Sequence, residues 1–137
     1  MTNLPLTGIF TITAYFKKVN STLWPTLGYH TGIDFIGSDN IYATCDGVVD
    51  TKGVDGSFGN YIIIKEDGIN RYHYFCHLSK FNVEEGDRVN RSSIIGVMGS
   101  TGHVTGKHLH YEIRNAKVLR ADTLINPAEH CGIPNAE

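Results

Sequence analysis

The chain has 137 residues, a formal net charge of −2 and no long basic run, which leaves a nucleic-acid partner without electrostatic support. Its hydrophobic fraction of 41% and charged fraction of 19% suffice for a core that needs no disulfide staples. Cys45, Cys76 and Cys131 are an odd set with no CxxC, which argues against a disulfide framework and against a cysteine-rich zinc knuckle.

The first residues, Met1-Thr-Asn-Leu-Pro-Leu, have neither a basic region nor a continuous apolar one, so no signal peptide is expected. No apolar stretch reaches the roughly 18 residues that span a bilayer, so no membrane insertion is expected either. Residues 8–16 read as an opening strand and 19–28 as a loop containing Pro25. A strand follows over 30–36. Residues 40–49 carry a turn at Asp46-Gly47 and then a strand. Residues 60–65 and 70–78 are strands joined as a hairpin by Asp67-Gly68. Gly86-Asp87 makes another turn, and 94–99 and 108–114 are the last strands. Cys45 and Cys76 fall in apolar runs and read as small core residues. No segment holds a long 3.6-residue apolar period, so helices are expected to be few and short. The chain is read as all-β, a twisted antiparallel sheet or two packed sheets, forming one domain over 1–137.

Side chains alternate across a strand, so even spacing places residues on one face. In 108–113, His108, His110 and Glu112 take one face, and Leu109, Tyr111 and Ile113 take the other. If 30–36 is a strand, His30, Gly32 and Asp34 share a face, with Gly32 leaving room between two ligands. By the same rule His73 and His77 share a face. Imidazole and carboxylate are good zinc ligands, and a catalytic zinc takes three protein ligands and a water. Each motif alone also suits an ordinary polar strand face, and His73, His103 and His130 read as hydrogen-bonded structural histidines.

Several stretches then resemble one family. They are Gly28-Tyr-His-Thr-Gly-Ile-Asp34, Ala43-Thr-Cys-Asp-Gly-Val-Val49, Gly59-Asn-Tyr-Ile-Ile-Ile64, Cys76-His-Leu-Ser79, Gly99-Ser-Thr-Gly102, Thr105-Gly-Lys-His-Leu-His-Tyr-Glu112 and Ile125-Asn-Pro127. Together they span about 28–127 and are similar to the lysostaphin-like, or LytM-type, zinc endopeptidases that cut peptidoglycan peptides. The resemblance implies one zinc ion held by His30, Asp34 and His110, with His77 and His108 as non-ligand catalytic residues. It leaves open which of those two handles which proton. Glu112 reads equally as a group orienting a histidine and as a structural carboxylate. The chain departs from the family pattern at Phe75, where tyrosine is frequent, and at Asn90-Arg91-Ser92, where a glycine turn is usual.

The function expected from the resemblance is hydrolysis of stem-peptide or cross-bridge bonds in bacterial peptidoglycan by a monomer. Its substrate groove would be walled by 19–28, 50–59 and 100–107. The expected setting is the bacterial cell wall, as for a phage endolysin freed by a holin or an enzyme carried by a larger assembly. The alternative is a catalytically silent relative that binds or activates cell-wall machinery, which usually lacks one or more ligand residues. A sugar-phosphotransfer domain with paired histidines is disfavoured by HxxxD. The cleaved bond, glycyl–glycine or D-alanyl–diamino acid, is not legible.

Overall fold

The computed structural model describes residues 3–102, 104 and 106–134. His103 and Thr105, and with them the reading of His103 as structural, lie outside the described residues. The strands are β1 (Thr11–Ala14), β2 (Ile33–Ile36), β3 (Asn40–Tyr42), β4 (Gly47–Asp55), β5 (Gly59–Glu66), β6 (Tyr72–Phe81), β7 (Arg88–Val89), β8 (Ile94–Met98), β9 (Leu109–Arg114) and β10 (Leu124–Ile125). One short helix, α1 (Pro127–Cys131), follows a 3-10 turn at Ala121–Thr123. The antiparallel, nearly helix-free architecture agrees with the sequence reading.

The strands form one hydrogen-bonded sheet in the order β1-β2-β9-β6-β5-β4-β7, with β10 on β9 and with β8 joining β6 to β3. Strand β6 organises it. Tyr72 to Cys76 pair with β9, Leu78 to Phe81 pair with β8, and β5 runs along the other edge. The main core gathers Ile33, Phe35, Ile62, Ile64, Phe75, Leu78, Leu109, Tyr111 and Ile113, all close to fully buried. Ile63, Tyr74 and Cys76 form a smaller cluster. The three cysteines are buried and free, as expected for Cys45 and Cys76, and Cys131 joins Cys45 in the main core.

Four expectations need correction. The strand read over 30–36 begins only at Ile33. The His30 amide donates to the Lys18 carbonyl at 2.9 Å, and Val19 bridges Tyr29, so the loop takes the hydrogen bonds that a longer β2 would have used. Gly32 does not separate two ligands. A Cβ there would lie 2.2 Å from the Tyr111 carbonyl oxygen, so the glycine admits close approach of β9. The opening strand, likewise, is confined to Thr11–Ala14.

The fourth correction concerns His73 and His77, which point to opposite sides. Between the pairs Ile62–Phe75 and Asn60–Leu78, β5 advances two residues and β6 three. The extra residue is a bulge, with His77 at φ 67°. The bulge resets the alternation. Phe75 and Leu78 both enter the main core, while His77 turns to the face that carries His110. Phe75 is therefore a core ring, on the side of β6 opposite His77. At the Asn90-Arg91-Ser92 turn, Ser92 itself takes the left-handed conformation, with φ 75°.

Candidate functional site

Strand pairing brings the site together. Asp34 on β2 lies directly opposite His110 on β9, and Cys76, next to His77, lies opposite His110 on the other side. His30 reaches the same point from the bend before β2. His108 arrives one residue ahead of β9, where it bridges Gly99. All five histidine and aspartate positions named from the sequence meet in one cleft of about 300 Å³. The cleft is walled by Leu23, Trp24 and Leu27 on one side and by Phe58 on another. The loops named as walls contribute, and Leu119, from a segment not anticipated, joins them.

Three atoms converge at the floor. His30 Nε2 lies 3.1 Å from Asp34 Oδ1, His110 Nδ1 lies 2.8 Å from the same oxygen, and the two nitrogens are 3.1 Å apart. Their protons are constrained from behind. His30 Nδ1 donates to the Tyr15 carbonyl at 3.0 Å, which leaves Nε2 as a lone pair in the neutral ring. His110 Nε2 donates to Glu112 Oε1 at 2.8 Å. Trp24 covers His30 with ring centroids 4.6 Å apart, and Phe58 stacks on His110 at 6.1 Å.

The charges follow from this packing. Burial opposes ionisation of Asp34, but hydrogen bonds and charge from His110 and His30 outweigh it and hold the carboxyl well below its usual range. Burial likewise opposes a charge on His110, yet Asp34 and Glu112 push its pKa up to about 10. Burial works against the Glu112 carboxylate too, and His110, Arg114 and Thr31 bring its pKa down to about 2. Without metal, then, a single proton on His110 Nδ1 serves a carboxylate oxygen and a second imidazole lone pair. A small divalent cation satisfies all three donors at once. Two imidazoles, each oriented by an outer hydrogen bond, and one carboxylate fit zinc.

The other two histidines stand beside this group. The His77 and His108 rings are 4.9 Å apart, and His77 is 6.1 Å from the His110 ring. His77 Nδ1 donates to the Thr101 carbonyl at 2.8 Å, and His108 Nδ1 donates to the Gly106 carbonyl at 3.0 Å. Each neutral ring thus keeps Nε2 as its basic nitrogen. His108 Nε2 lies 3.6 Å from Asp34 Oδ2, beyond hydrogen-bond reach. Burial, together with the neighbouring His110 and His108, lowers the His77 pKa to about 4.

The Thr101 carbonyl is fixed by a glycine crossing. A Cβ on Gly59, at φ 64°, would sit 2.3 Å from the Thr101 carbonyl carbon. Thr101 Oγ1 ties the crossing down, accepting from the Asn60 amide at 3.0 Å and donating to the Leu78 carbonyl at 2.7 Å.

Glu112, read as either an orienting or a structural carboxylate, hydrogen-bonds the His110 ring from behind. It also accepts from Thr31 Oγ1 and, at 2.7 Å, from Arg114 Nε. The carbonyls of Tyr15, Thr101 and Gly106 had no signal in the sequence, because every residue carries one. Arg114 did have a signal, since it continues the even series 108, 110, 112. His73 and His130 lie elsewhere, as structural residues. His73 hydrogen-bonds Glu66 at 2.7 Å and the Tyr111 hydroxyl at 2.7 Å, and His130 donates to the Thr44 carbonyl at 2.7 Å.

The sequence matches the family model described as Peptidase family M23 over residues 28–127. It is 42% identical over 88 residues to the DD-carboxypeptidase/endopeptidase Mpg of Neisseria meningitidis, covering 62% of this chain and 20% of that protein. It is 33% identical to the peptidoglycan DD-endopeptidase ShyC of Vibrio cholerae, covering 89% of this chain and 32% of that protein. The chain therefore spans about a fifth to a third of the length of these relatives. Among solved structures, a zinc-containing peptidase from Vibrio cholerae superposes with a TM-score of 0.76 at 27% identity, over 91% of this chain and 38% of that one. The catalytic domain of lysostaphin from Staphylococcus simulans gives a TM-score of 0.71 at 28% identity, over 90% and 92%.

Proposed function

The chain belongs to peptidase family M23, and on that premise we propose that it is a zinc-dependent endopeptidase that hydrolyses peptide bonds of bacterial peptidoglycan. The observation that carries this reading is the convergence of His30 Nε2, Asp34 Oδ1 and His110 Nδ1 within 3.1 Å of one another. The peptidoglycan DD-endopeptidase activity named for the Vibrio relative and the DD-carboxypeptidase/endopeptidase activity named for the Neisseria relative support the substrate class.

His30, Asp34 and His110 would hold the ion. Bound zinc supplies Lewis acidity, which polarises a carbonyl oxygen and acidifies a bound water. The chain's own residues do the rest. Glu112 fixes the His110 ring through Nε2, so that Nδ1 faces the centre. The Tyr15 carbonyl does the same for His30 through Nδ1. His77 and His108 stand beside the metal group with Nδ1 anchored and Nε2 available. They accept the proton of the attacking water and return it to the departing amine, leaving a new carboxylate and a new amino terminus. Trp24 and Phe58 pack against the His30 and His110 rings and limit their movement.

All five residues are present and line one cleft, which favours an active enzyme over a silent binding relative. Digestion of purified peptidoglycan, with fragments read by mass spectrometry, tests this. New amino termini should appear, vanish with a zinc chelator and return with added zinc. Intact peptidoglycan after zinc loading would refute the assignment.

A further inference from the structure

Four side chains on the site face of β9 run His108, His110, Glu112 and Arg114, and three of them have a role above. Resting on the reading of this site as a peptidoglycan endopeptidase, we infer that Arg114 is a carboxylate-binding subsite of the substrate cleft.

Arg114 is 5% exposed and lines the cleft. Its Nε donates to Glu112 Oε2 at 2.7 Å. Its guanidinium carbon lies 4.3 Å from the Tyr74 ring centroid and 5.9 Å from that of Phe58. The plane is therefore clamped by two aromatic faces and one hydrogen bond. The two terminal nitrogens have no hydrogen-bond partner among the described residues, and no side-chain nitrogen is sealed from solvent without one. They open into the cleft, where Arg114 is the only permanently charged cation among the described lining residues.

A guanidinium carries five N–H donors in a fixed fork, and burial of a charge is costly unless the donors are used. The fork matches a carboxylate in bidentate geometry. Tyr74 and Phe58 hold it in place beforehand, so a ligand loses little freedom in meeting it. Glu112 links Arg114 to His110, so a group bound by the fork lies in the same cleft as the metal group. A glycine bridge offers only neutral amides there. A stem-peptide cross-link built on a dicarboxylic diamino acid offers a free carboxylate.

The test uses the zinc-loaded protein and a soluble D-alanyl–diaminopimelyl dipeptide dimer in two forms, with free carboxylates and with those carboxylates amidated. The acid form should have a kcat/KM about tenfold or more above the amidated form, mainly through KM, as expected for a desolvated ionic contact. Arg114→Gln should bring the ratio close to one, and Arg114→Lys should restore part of it. Equal rates on the two forms by the unaltered protein would overturn the assignment. So would an Arg114→Gln protein that keeps the ratio while both rates fall, the signature of a purely structural role through Glu112. Calorimetric binding of both forms to the His108→Ala protein separates the two readings. If no peptide is cut, a tighter Kd for the acid form still upholds the subsite, and equal Kd values refute it.

Discussion

Replacing Glu112 with glutamine probes how the metal group is held. The carboxylate is 1% exposed and accepts from three donors: His110 Nε2 at 2.8 Å, Arg114 Nε at 2.7 Å and Thr31 Oγ1. An amide retains one accepting oxygen and turns its nitrogen towards a donor, so one of these contacts becomes repulsive. Loss of an outer hydrogen bond to a metal-bound histidine typically lowers metal affinity about 10–100-fold, or about 1.4–2.8 kcal/mol. Removing the charge also leaves the buried Arg114 guanidinium without its partner, which costs about 3–5 kcal/mol of stability for a broken buried pair. The fall should be smaller than that, because Arg114 has access to the cleft. Competition with a chromophoric zinc chelator reads the affinity, and urea unfolding of the metal-free protein reads the stability. Zinc affinity within twofold of the unaltered protein would show that Glu112 does not orient His110.

Gly59→Ala should be severe for its size. It places a Cβ 2.3 Å from the Thr101 carbonyl carbon at φ 64°, an overpacked and strained position that costs about 2–3 kcal/mol. Thermal unfolding should show that loss, and cleavage should drop because the Thr101 carbonyl no longer holds His77. A melting temperature within a degree of the original would refute the crossing. The His73–Glu66 pair should make the fold acid-sensitive. Burial lowers the His73 pKa below 6.5, despite the Glu66 hydrogen bond. The unfolded chain therefore binds the extra proton as pH falls through 6.5, and stability is full above that value and declines below it. The slope for one group is at most about 1.4 kcal/mol per pH unit. Glu66, whose pKa His73 lowers from 4.5, adds a second loss below pH 4.5. Urea midpoints of the metal-free protein between pH 7.5 and 5 check this. A flat profile, or an unchanged slope in His73→Gln, would contradict it.

Much of the site was legible in residues 108–113. The alternation there is strict, and β9 keeps it, with Leu109, Tyr111 and Ile113 in the core and His110 and Glu112 on the other face. The neighbouring segments were less readable because their geometry depends on partners. His30 reaches the site from a bend whose hydrogen bonds go to Lys18 and Tyr15, and no period encodes that. The bulge at His77 breaks the two-residue rule, so spacing alone joined His73 to His77 and missed that Phe75 is a core ring. The two-residue strands β7 and β10 exist only through pairing with β4 and β9. Helix α1 did leave marks that a closer reading could use. Asn126 caps it through the Ala128 amide, Pro127 opens it, and Gly132 closes it at φ 70°.

In the proposed site His30, Asp34 and His110 share one zinc ion while His77 and His108 serve the reaction beside it. Zinc content per chain, measured by elemental analysis after dialysis against a weak chelator, tests it most directly. The unaltered protein and His108→Ala should each retain one zinc per chain, with cleavage lost only in the second. His30→Ala, Asp34→Ala and His110→Ala should each lose most of it. Zinc-free unaltered protein, or a His108→Ala protein that loses its metal, would contradict the division of roles.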